Sequence, residues 1–199
     1  VGQEFRKALN FTDSGGSTPV TLQNTSYTET TDSTAVSVSF WLNKFTSVTS
    51  FALTLGETIF DSSGIVIKYG SASDTAFNVA VAVNKWNHFT LTVYKDLTIN
   101  PKLWINGISQ SIDGGYSNVT SPLGATDNIY IGDFGGGNSL FELEGAMQDL
   151  VVWNTQLNDS DARILYNSGS WFDIHGHASA SHIWDWWALG EESNVGQSV

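Results

Sequence analysis

Short runs in which apolar and polar residues alternate one by one recur along most of this chain, and this pattern constrains its fold most. The clearest run covers residues 36–42, and its apolar members are Val36, Val38, Phe40 and Leu42. Successive side chains of a strand point to opposite faces, so alternation predicts strands that bury one face. Gly, Asn, Asp and Ser separate the runs, which is typical of a β-sandwich or barrel.

Further strands are expected later in the chain, at Ala76–Val83, His88–Tyr94, Ile129–Asp133 and Gly145–Trp153. Lys102–Ile105 is followed by Asn106-Gly107 and a second short run at Ile108. Asn-Gly between two strands predicts a tight hairpin, because both residues tolerate a positive φ.

One helix is predicted, over residues 158–167. Asn158 is a suitable N-cap, and Asp159 and Asp161 lie in the first turn, where carboxylates favour the helix dipole. The sequence from Asn167 to Gly169 is expected to end the helix. No linker is evident before residue 170. We therefore expect one domain over residues 1–170 and a Trp-rich tail over 171–199 that packs on it or joins it to a neighbour.

The net charge narrows the range of partners. The chain has 8 Lys and Arg against 20 Asp and Glu, a formal charge of −12. Nucleic acid and anionic membrane surfaces require clustered cations, so both are unfavoured partners. No apolar run approaches the roughly 18 residues of a membrane-spanning helix. With no cysteine in the chain, disulfides and thiol chemistry are excluded.

Several motifs, in a fixed order, resemble the concanavalin A-like, laminin G-like jelly rolls. The motifs are Lys7–Gly15, Val36–Leu42, Asn84–Phe89, Leu103–Gly107, Ile129–Gly132 and Gly145–Asn154, with the helix to Tyr166 after them. The resemblance implies a two-sheet antiparallel jelly-roll β-sandwich of about a dozen strands. It also implies loops at one rim that bind glycan or protein, often beside calcium. The stretch Ile183–Glu191 resembles a segment of virion proteins from marine bacteriophages.

Enzymes that share this fold are β-glucanases, which place Glu-x-Asp-x-x-Glu on one strand face. Glu142 and Glu144 lie two residues apart, but Met147 occupies the position of the third acid. Retaining hydrolysis needs two carboxylates about 5 Å apart. We therefore expect no catalysis, and a β-glucanase-like hydrolase is the weaker alternative.

Calcium is the expected cofactor, since it takes six to eight oxygen ligands from carboxylates and carbonyls on loops. Asp13, Asp133 and Asp149 are the candidate ligands. Asp133 opens the loop that contains three successive glycines. Asp149 is expected on the same strand face as Met147, Val151 and Trp153, and therefore partly buried. The alternative is that these carboxylates only accept backbone N–H groups.

The candidate ligand-binding residues are Trp104, Asn106 and Asn138. Trp104 alternates with Leu103 and Ile105 beside the Asn-Gly turn, so its ring is a candidate for exposure. His88 is expected to make a structural hydrogen bond, and His175-Gly176-His177 to form a surface turn rather than a zinc site. The Trp184, Trp186 and Trp187 cluster is either a packed terminal strand or a contact with another chain.

Together these features predict a recognition or adhesion module on the exterior of a virion or cell, most simply one that binds glycan. The resemblance of Ile183–Glu191 to virion proteins implies that this chain is a bacteriophage structural protein. The partner would be a glycan or another surface protein, with self-assembly open. A structural assembly or capsid decoration protein without ligand is the second hypothesis.

Overall fold

The computed structural model describes residues 8–11, 20–22, 34–45, 51–55, 58–62, 65–69, 77, 79, 81–94, 99–112, 129–131 and 143–189. These contain twelve strands and one α-helix. The strands β1 to β12 are, in order, Leu9–Phe11, Val20–Leu22, Ala35–Lys44, Phe51–Leu55, Thr58–Ser62, Ile65–Tyr69, Trp86–Tyr94, Lys102–Ile105, Ile108–Ser109, Ile129–Ile131, Gly145–Trp153 and Ile183–Trp187. The helix α1 is Asp159–Tyr166.

The strands form two antiparallel sheets. The larger has the order β1-β11-β3-β7-β8-β9, with β12 paired to the far part of β11, and the smaller has the order β2-β10-β4-β5-β6. Neighbours in the sheets are often distant in sequence, as in a jelly roll. The predicted fold class, a two-sheet antiparallel β-sandwich with one short C-terminal helix, is confirmed.

The two sheets pack through one apolar core. Phe40 on β3, Phe89 on β7 and Val152 on β11 lie in the same buried cluster as Leu53 and Ile131 of the smaller sheet. On each of these three strands, the residue two positions away lies in the same cluster, as Val38 does on β3 and Leu91 on β7. Alternation along a strand requires this spacing. The face of the larger sheet that points to the smaller one is called the inner face below.

The opposite, outer face of the larger sheet is also buried, although it carries many hydroxyl groups. Ser37, Ser39, Thr90 and Thr92 are each at most 2 % exposed. A second apolar cluster covers part of this face, formed by Val151, Trp153, Leu157, Leu165 and Ile174. The helix and the chain after it therefore lie over the outer face, and buried polar groups there need hydrogen-bond partners.

The helix begins as its sequence predicts. The Asn158 side chain accepts the backbone N–H groups of Ser160 and Asp161, and the Asp161 carboxylate accepts the Asn158 N–H at 2.8 Å. This reciprocal capping box satisfies donors that the first turn leaves free. Asn167 ends the helix in the left-handed region, with φ of 44°.

The Asn106-Gly107 hairpin is also confirmed. Both residues have positive φ, 52° and 73°, and they join β8 to β9. A Cβ at Gly107 would lie 3.2 Å from Cα of Arg163, so the turn packs closely on the helix.

One predicted strand is not found. The described residues of Ala76–Val83 have no strand assigned. Phe77 is nonetheless fully buried, and Val79 and Val81 pack against the core. The alternation therefore correctly indicates which side chains point inward. Burial of these side chains does not require that the segment hydrogen-bond to a neighbouring strand.

Within the Trp-rich tail, residues Ile183–Trp187 form a packed strand. β12 pairs with Leu150–Trp153 of β11, and Trp187 joins the inner core at 7 % exposure. The boundary at residue 170 stays a prediction.

Candidate functional site

A bulge in β11 gives the outer face its most unusual backbone. The pairing of β11 with β3 shifts between Gln148 and Val151, and Asp149 at the shift has a φ of 49°. Its N–H points to the carbonyl of Ala188 at 3.5 Å. Bulges re-aim side chains, and Asp tolerates the left-handed region better than most residues.

This bulge corrects the expected face of Asp149. Met147 packs in the inner core, whereas Val151 and Trp153 lie in the outer cluster. The three do not share a face, because one extra residue in a strand reverses the direction of every later side chain.

A shallow, open depression lies at the bulge. Its described lining residues are Trp41, Gln148, Asp149 and Trp171. Trp41 comes from the middle of β3, directly opposite Gln148 in the pairing. Trp171 comes from the chain after the helix and is 39 % exposed, whereas Asp149 is 8 % exposed. The depression therefore combines two indole rings, one carboxylate and one amide.

The floor of the depression is fixed by aromatic packing. The Trp41 ring lies 5.0 Å from the His88 ring and 5.9 Å from the Tyr166 ring, centre to centre. Complete burial lowers the pKa of His88 to about 3, so this imidazole is neutral at physiological pH. We conclude that His88 supports Trp41 without adding charge to the site.

Contacts before and after Trp171 in the sequence hold this segment in place. The Asn167 side-chain amide donates to the Trp171 carbonyl at 3.1 Å. Further along, the buried His177 ring packs against Trp153, and its Nδ1 accepts the Ser179 N–H at 3.1 Å. Burial lowers the pKa of His177, against the opposing effect of the Asp161 carboxylate 3.5 Å away. These contacts position Trp171 beside the bulge.

Trp104 differs from its sequence-based expectation. Its ring is 1 % exposed, and its indole N–H donates to the Asp159 carboxylate at 2.7 Å. The candidate exposure of this ring is not found, because the helix covers the outer face at this position. Trp104 therefore has no ring face available for stacking by a ligand.

Asn106 has its side chain engaged within the hairpin. Its Oδ1 accepts the His88 N–H at 2.9 Å, and its amide donates to the Asn87 side chain at 3.0 Å. These bonds join the turn to β7.

The calcium ligand set is only partly placed. Asp13, Asp133 and Asn138 lie outside the described residues. Asp149 is described, but within the described part of the chain no three His, Asp or Glu side chains are grouped so as to hold a metal. Calcium therefore stays a prediction, and no step is assigned to it.

The sequence analysis missed Gln148 and Trp171, and Trp41 was not among its candidate ligand-binding residues. Trp41 is buried, but on the outer face rather than in the inner core. The alternation of Trp41 with Phe40 and Leu42 was a usable signal for this. No signal of comparable strength exists for Trp171, because its position depends on how the chain folds back after the helix.

Comparisons with known proteins support the fold. A Bacteroides ovatus protein described as a candidate carbohydrate binding protein aligns over 96 % of this chain and 54 % of its own, at 16 % identity and a TM-score of 0.61. Domain 4 of AbnA, an extracellular GH43 arabinanase of Geobacillus stearothermophilus, aligns over 80 % of this chain and 75 % of its own, at 16 % identity and 0.50. A Trypanosoma rangeli sialidase aligns over 68 % of this chain, at 18 % identity and 0.51.

This chain spans 23 % of the sialidase and about half of the Bacteroides protein. No protein-family model matches the chain, and no curated protein matches it. The fold class that the topology and the comparisons define is the antiparallel jelly-roll β-sandwich. Within the described residues, the only helix is far too short to cross a membrane.

Proposed function

We propose that this chain is a noncatalytic carbohydrate-binding module and that the depression at the β11 bulge binds the sugar. The observation that carries the proposal is the half-exposed Trp171 ring beside the Asp149 carboxylate and the Gln148 amide. An aromatic face next to a few well-placed polar groups is the usual composition of a small-ligand site.

Each lining group has a suitable partner on a sugar. The C–H face of a sugar ring is apolar and packs on an indole face, while its hydroxyl groups point outward at the rim. A carboxylate accepts hydrogen bonds at both oxygens, and an amide both accepts and donates. The depression is shallow and open, so it would contact one ring of a longer glycan rather than enclose it.

Two of the structural neighbours support a sugar ligand. The arabinanase domain was solved in complex with arabinotriose, and the Bacteroides protein is described in terms of carbohydrate binding. The location that we propose is the exterior of a cell or virion, in the finer form a bacteriophage structural protein. A surface rich in Ser, Thr, Asn and Gly, with only 14 % charged residues, supports this setting.

The test is binding of Trp171→Ala to a panel of neutral oligosaccharides, measured by calorimetry. Loss of the stacking ring should weaken the best ligand by about tenfold or more, since buried aromatic contacts dominate such sites. Ile164→Ala is the control, because Ile164 is 41 % exposed and is not among the described residues that line the depression. Unchanged affinity in Trp171→Ala would exclude this depression, and absence of any binding would exclude the function.

The absence of catalysis has its own test. Glu144 is half-buried just before β11, and Glu142 lies outside the described residues. We expect wild type to release no reducing sugar from laminarin, and Glu142→Gln and Glu144→Gln to leave the rate at background. Cleavage by wild type that either variant abolishes would support the hydrolase instead, because retaining hydrolysis requires both carboxylates.

A further inference from the structure

We propose that Asn167, which is not among the described lining residues, is a positioning residue that holds the Trp171 ring in its binding orientation before a sugar arrives. This inference rests on the proposed carbohydrate binding and adds to it a residue that determines affinity without touching the ligand. The observations behind it are the backbone of the turn after α1 and the hydrogen bonds that Asn167 makes there.

The turn between the helix and Trp171 has an uncommon backbone. Asn167, Ser168 and Gly169 adopt the left-handed region one after another, with φ of 44°, 55° and 85°. Glycine is the usual residue where a helix ends in this region, and Asn is the usual substitute. Glycine would satisfy the backbone at residue 167 at least as well, so the side chain of Asn167 needs a reason of its own.

Asn167 joins three parts of the chain through three hydrogen bonds. Its N–H donates to the Arg163 carbonyl in the last turn of the helix. Its carbonyl accepts the Ser170 N–H at 3.0 Å, and its side-chain amide donates to the Trp171 carbonyl at 3.1 Å. The first two bonds use only the backbone, so glycine could make them as well. The third bond needs a side-chain donor, and it is the one that reaches Trp171.

The residues beside this turn are anchored in the outer face. The Tyr166 ring lies 5.9 Å from the Trp41 ring, and a Cβ at Gly169 would lie 3.5 Å from the Tyr166 hydroxyl, so the turn packs on Tyr166. On the other side, Phe172 packs against the outer apolar cluster. The bond to the Trp171 carbonyl therefore fixes the backbone between two anchored aromatic residues and sets Trp171 beside Trp41 in the depression.

A ring held in advance should bind a sugar more tightly than a mobile one, because ordering a side chain or loop on binding costs free energy. Trp171 is 39 % exposed and belongs to no strand or helix, so sheet or helix bonds do not hold its backbone. The Asn167 amide supplies such a bond from outside the lining. Its loss should lower the affinity although no contact between protein and sugar is removed.

The experiment compares two glycine variants, Asn167→Gly and Ser168→Gly. Each places glycine at an exposed left-handed position, so both retain the backbone conformation and give the unfolded chain similar extra freedom. Asn167→Gly also removes the donor to Trp171. Ser168→Gly is the matched control, because the Ser168 hydroxyl makes no hydrogen bond to another described residue.

Calorimetry with neutral glucan, galactan and arabinan oligosaccharides measures the affinity. Asn167→Gly should bind the tightest of these about threefold to tenfold more weakly than wild type, the usual cost of ordering one side chain. Ser168→Gly should stay within about twofold of wild type, as exposed substitutions do. The two variants should have similar midpoints of chemical denaturation, which a purely structural role of Asn167 would not allow.

Fluorine NMR follows the ring without any sugar. In protein labelled with fluorotryptophan, Trp171→Phe identifies the Trp171 resonance by its disappearance. This resonance should shift in Asn167→Gly and keep its wild-type position in Ser168→Gly. The resonance of Trp104, which is 1 % exposed, should be the same in both variants and so shows that the fold is retained.

The outcomes separate this inference from the proposed function. If glycan binds and the two glycine variants have equal affinities, the positioning role of Asn167 is overturned and carbohydrate binding stands. A much lower denaturation midpoint in Asn167→Gly than in Ser168→Gly would also overturn it, because Asn167 would then stabilise the whole fold. If no glycan binds, the proposed function fails, and the Trp171 resonance alone decides whether Asn167 positions the ring.

Discussion

The two faces of the larger sheet are built from the same strands but are stabilised differently. The inner face carries side chains such as Phe40, Leu91 and Val152, which pack in a continuous apolar core. The outer face carries Ser37, Ser39 and Thr92 among its tryptophans. Ser37 and Thr92 accept the N–H of Leu157 in the covering chain, and Ser39 accepts the Trp153 indole N–H within the sheet. The inner face is therefore held by apolar contact, and the outer face by an apolar cluster together with specific hydrogen bonds.

The difference explains where the candidate site lies. An apolar core tolerates many side chains of suitable size and exposes no polar group. Most polar groups of a covered face need hydrogen-bond partners, and the cover of this face is formed by a helix and the irregular chain after it. At the edge of that cover, Trp171 and Asp149 come to the surface next to each other. The outer face is thus the one that offers a ligand both apolar and polar contacts.

The largest expected loss of stability comes from truncating a buried side chain of the inner face. Phe89 is fully buried and stacks on Phe40 with ring centres 5.3 Å apart. Phe89→Ala should lower the free energy of unfolding by about 3–5 kcal/mol, the usual loss for a buried phenylalanine. Chemical denaturation measures it, with Ile164→Ala expected within about 0.5 kcal/mol of wild type. A loss below about 1 kcal/mol for Phe89→Ala would mean that the inner core is not close-packed.

The next effect is on the outer face and depends on pH. Burial lowers the pKa of His88 to about 3, against 6.5 in the unfolded chain. As the pH falls below 6.5, His88 is protonated in the unfolded chain, whereas in the folded chain it stays neutral down to about pH 3. This contribution to stability is complete above pH 6.5 and falls with acidification, by about 2 kcal/mol at pH 5.

The ionisation of Asp185 changes stability with pH in the direction opposite to that of His88. A variant without this carboxyl group is therefore needed to measure the His88 contribution. Burial raises the pKa of Asp185 to about 6 from 3.8, so its ionisation destabilises the fold as the pH rises between those values. Between pH 7 and 5 the two groups partly cancel in wild type. We expect Asp185→Asn to lose more stability over that interval than wild type does, by denaturation at both values. Equal losses, or a His88 imidazole that titrates near 6.5 by NMR, would contradict the assignment.

The inner face could be predicted from the sequence almost in full. Alternation located β3 and β7, and it gave β11 its observed bounds, Gly145–Trp153. The capping residues Asn158 and Asp161 and the Asn106-Gly107 turn act through neighbours in sequence, so local chemistry was enough to find them.

The outer face could not be predicted in the same way, because its structure depends on distant residues. Trp104 was a candidate for exposure, since nothing nearby in sequence indicates that Asp159 would bond its indole N–H. The bulge at Asp149 has no glycine to mark it, and it reverses the faces of Val151 and Trp153. The depression itself joins residues about 130 positions apart, Trp41 and Trp171. Three of the expected ligands, Asp13, Asp133 and Asn138, lie outside the described residues and stay predictions.

The smallest expected effect tests the hydrogen bonds of the outer face directly. The Ser37 hydroxyl contacts three groups: Thr92 Oγ1 at 2.8 Å, the Thr155 carbonyl at 2.7 Å and the Leu157 N–H at 3.1 Å. Ser39, two residues along the same face, accepts the Trp153 indole N–H at 3.2 Å. Ser37→Ala leaves more buried groups without their partner than Ser39→Ala does.

We expect Ser37→Ala to lower the free energy of unfolding by about 1–3 kcal/mol, and Ser39→Ala by less. A double-mutant cycle with Thr92→Val should show coupling between Ser37 and Thr92, because the two hydroxyls bond each other and share the Leu157 N–H. The same cycle between Ser37 and Phe89 on the inner face should be near zero. Equal costs for the two serines, with no coupling to Thr92, would mean that apolar contact alone holds the cover in place. The two faces would then be stabilised in the same way.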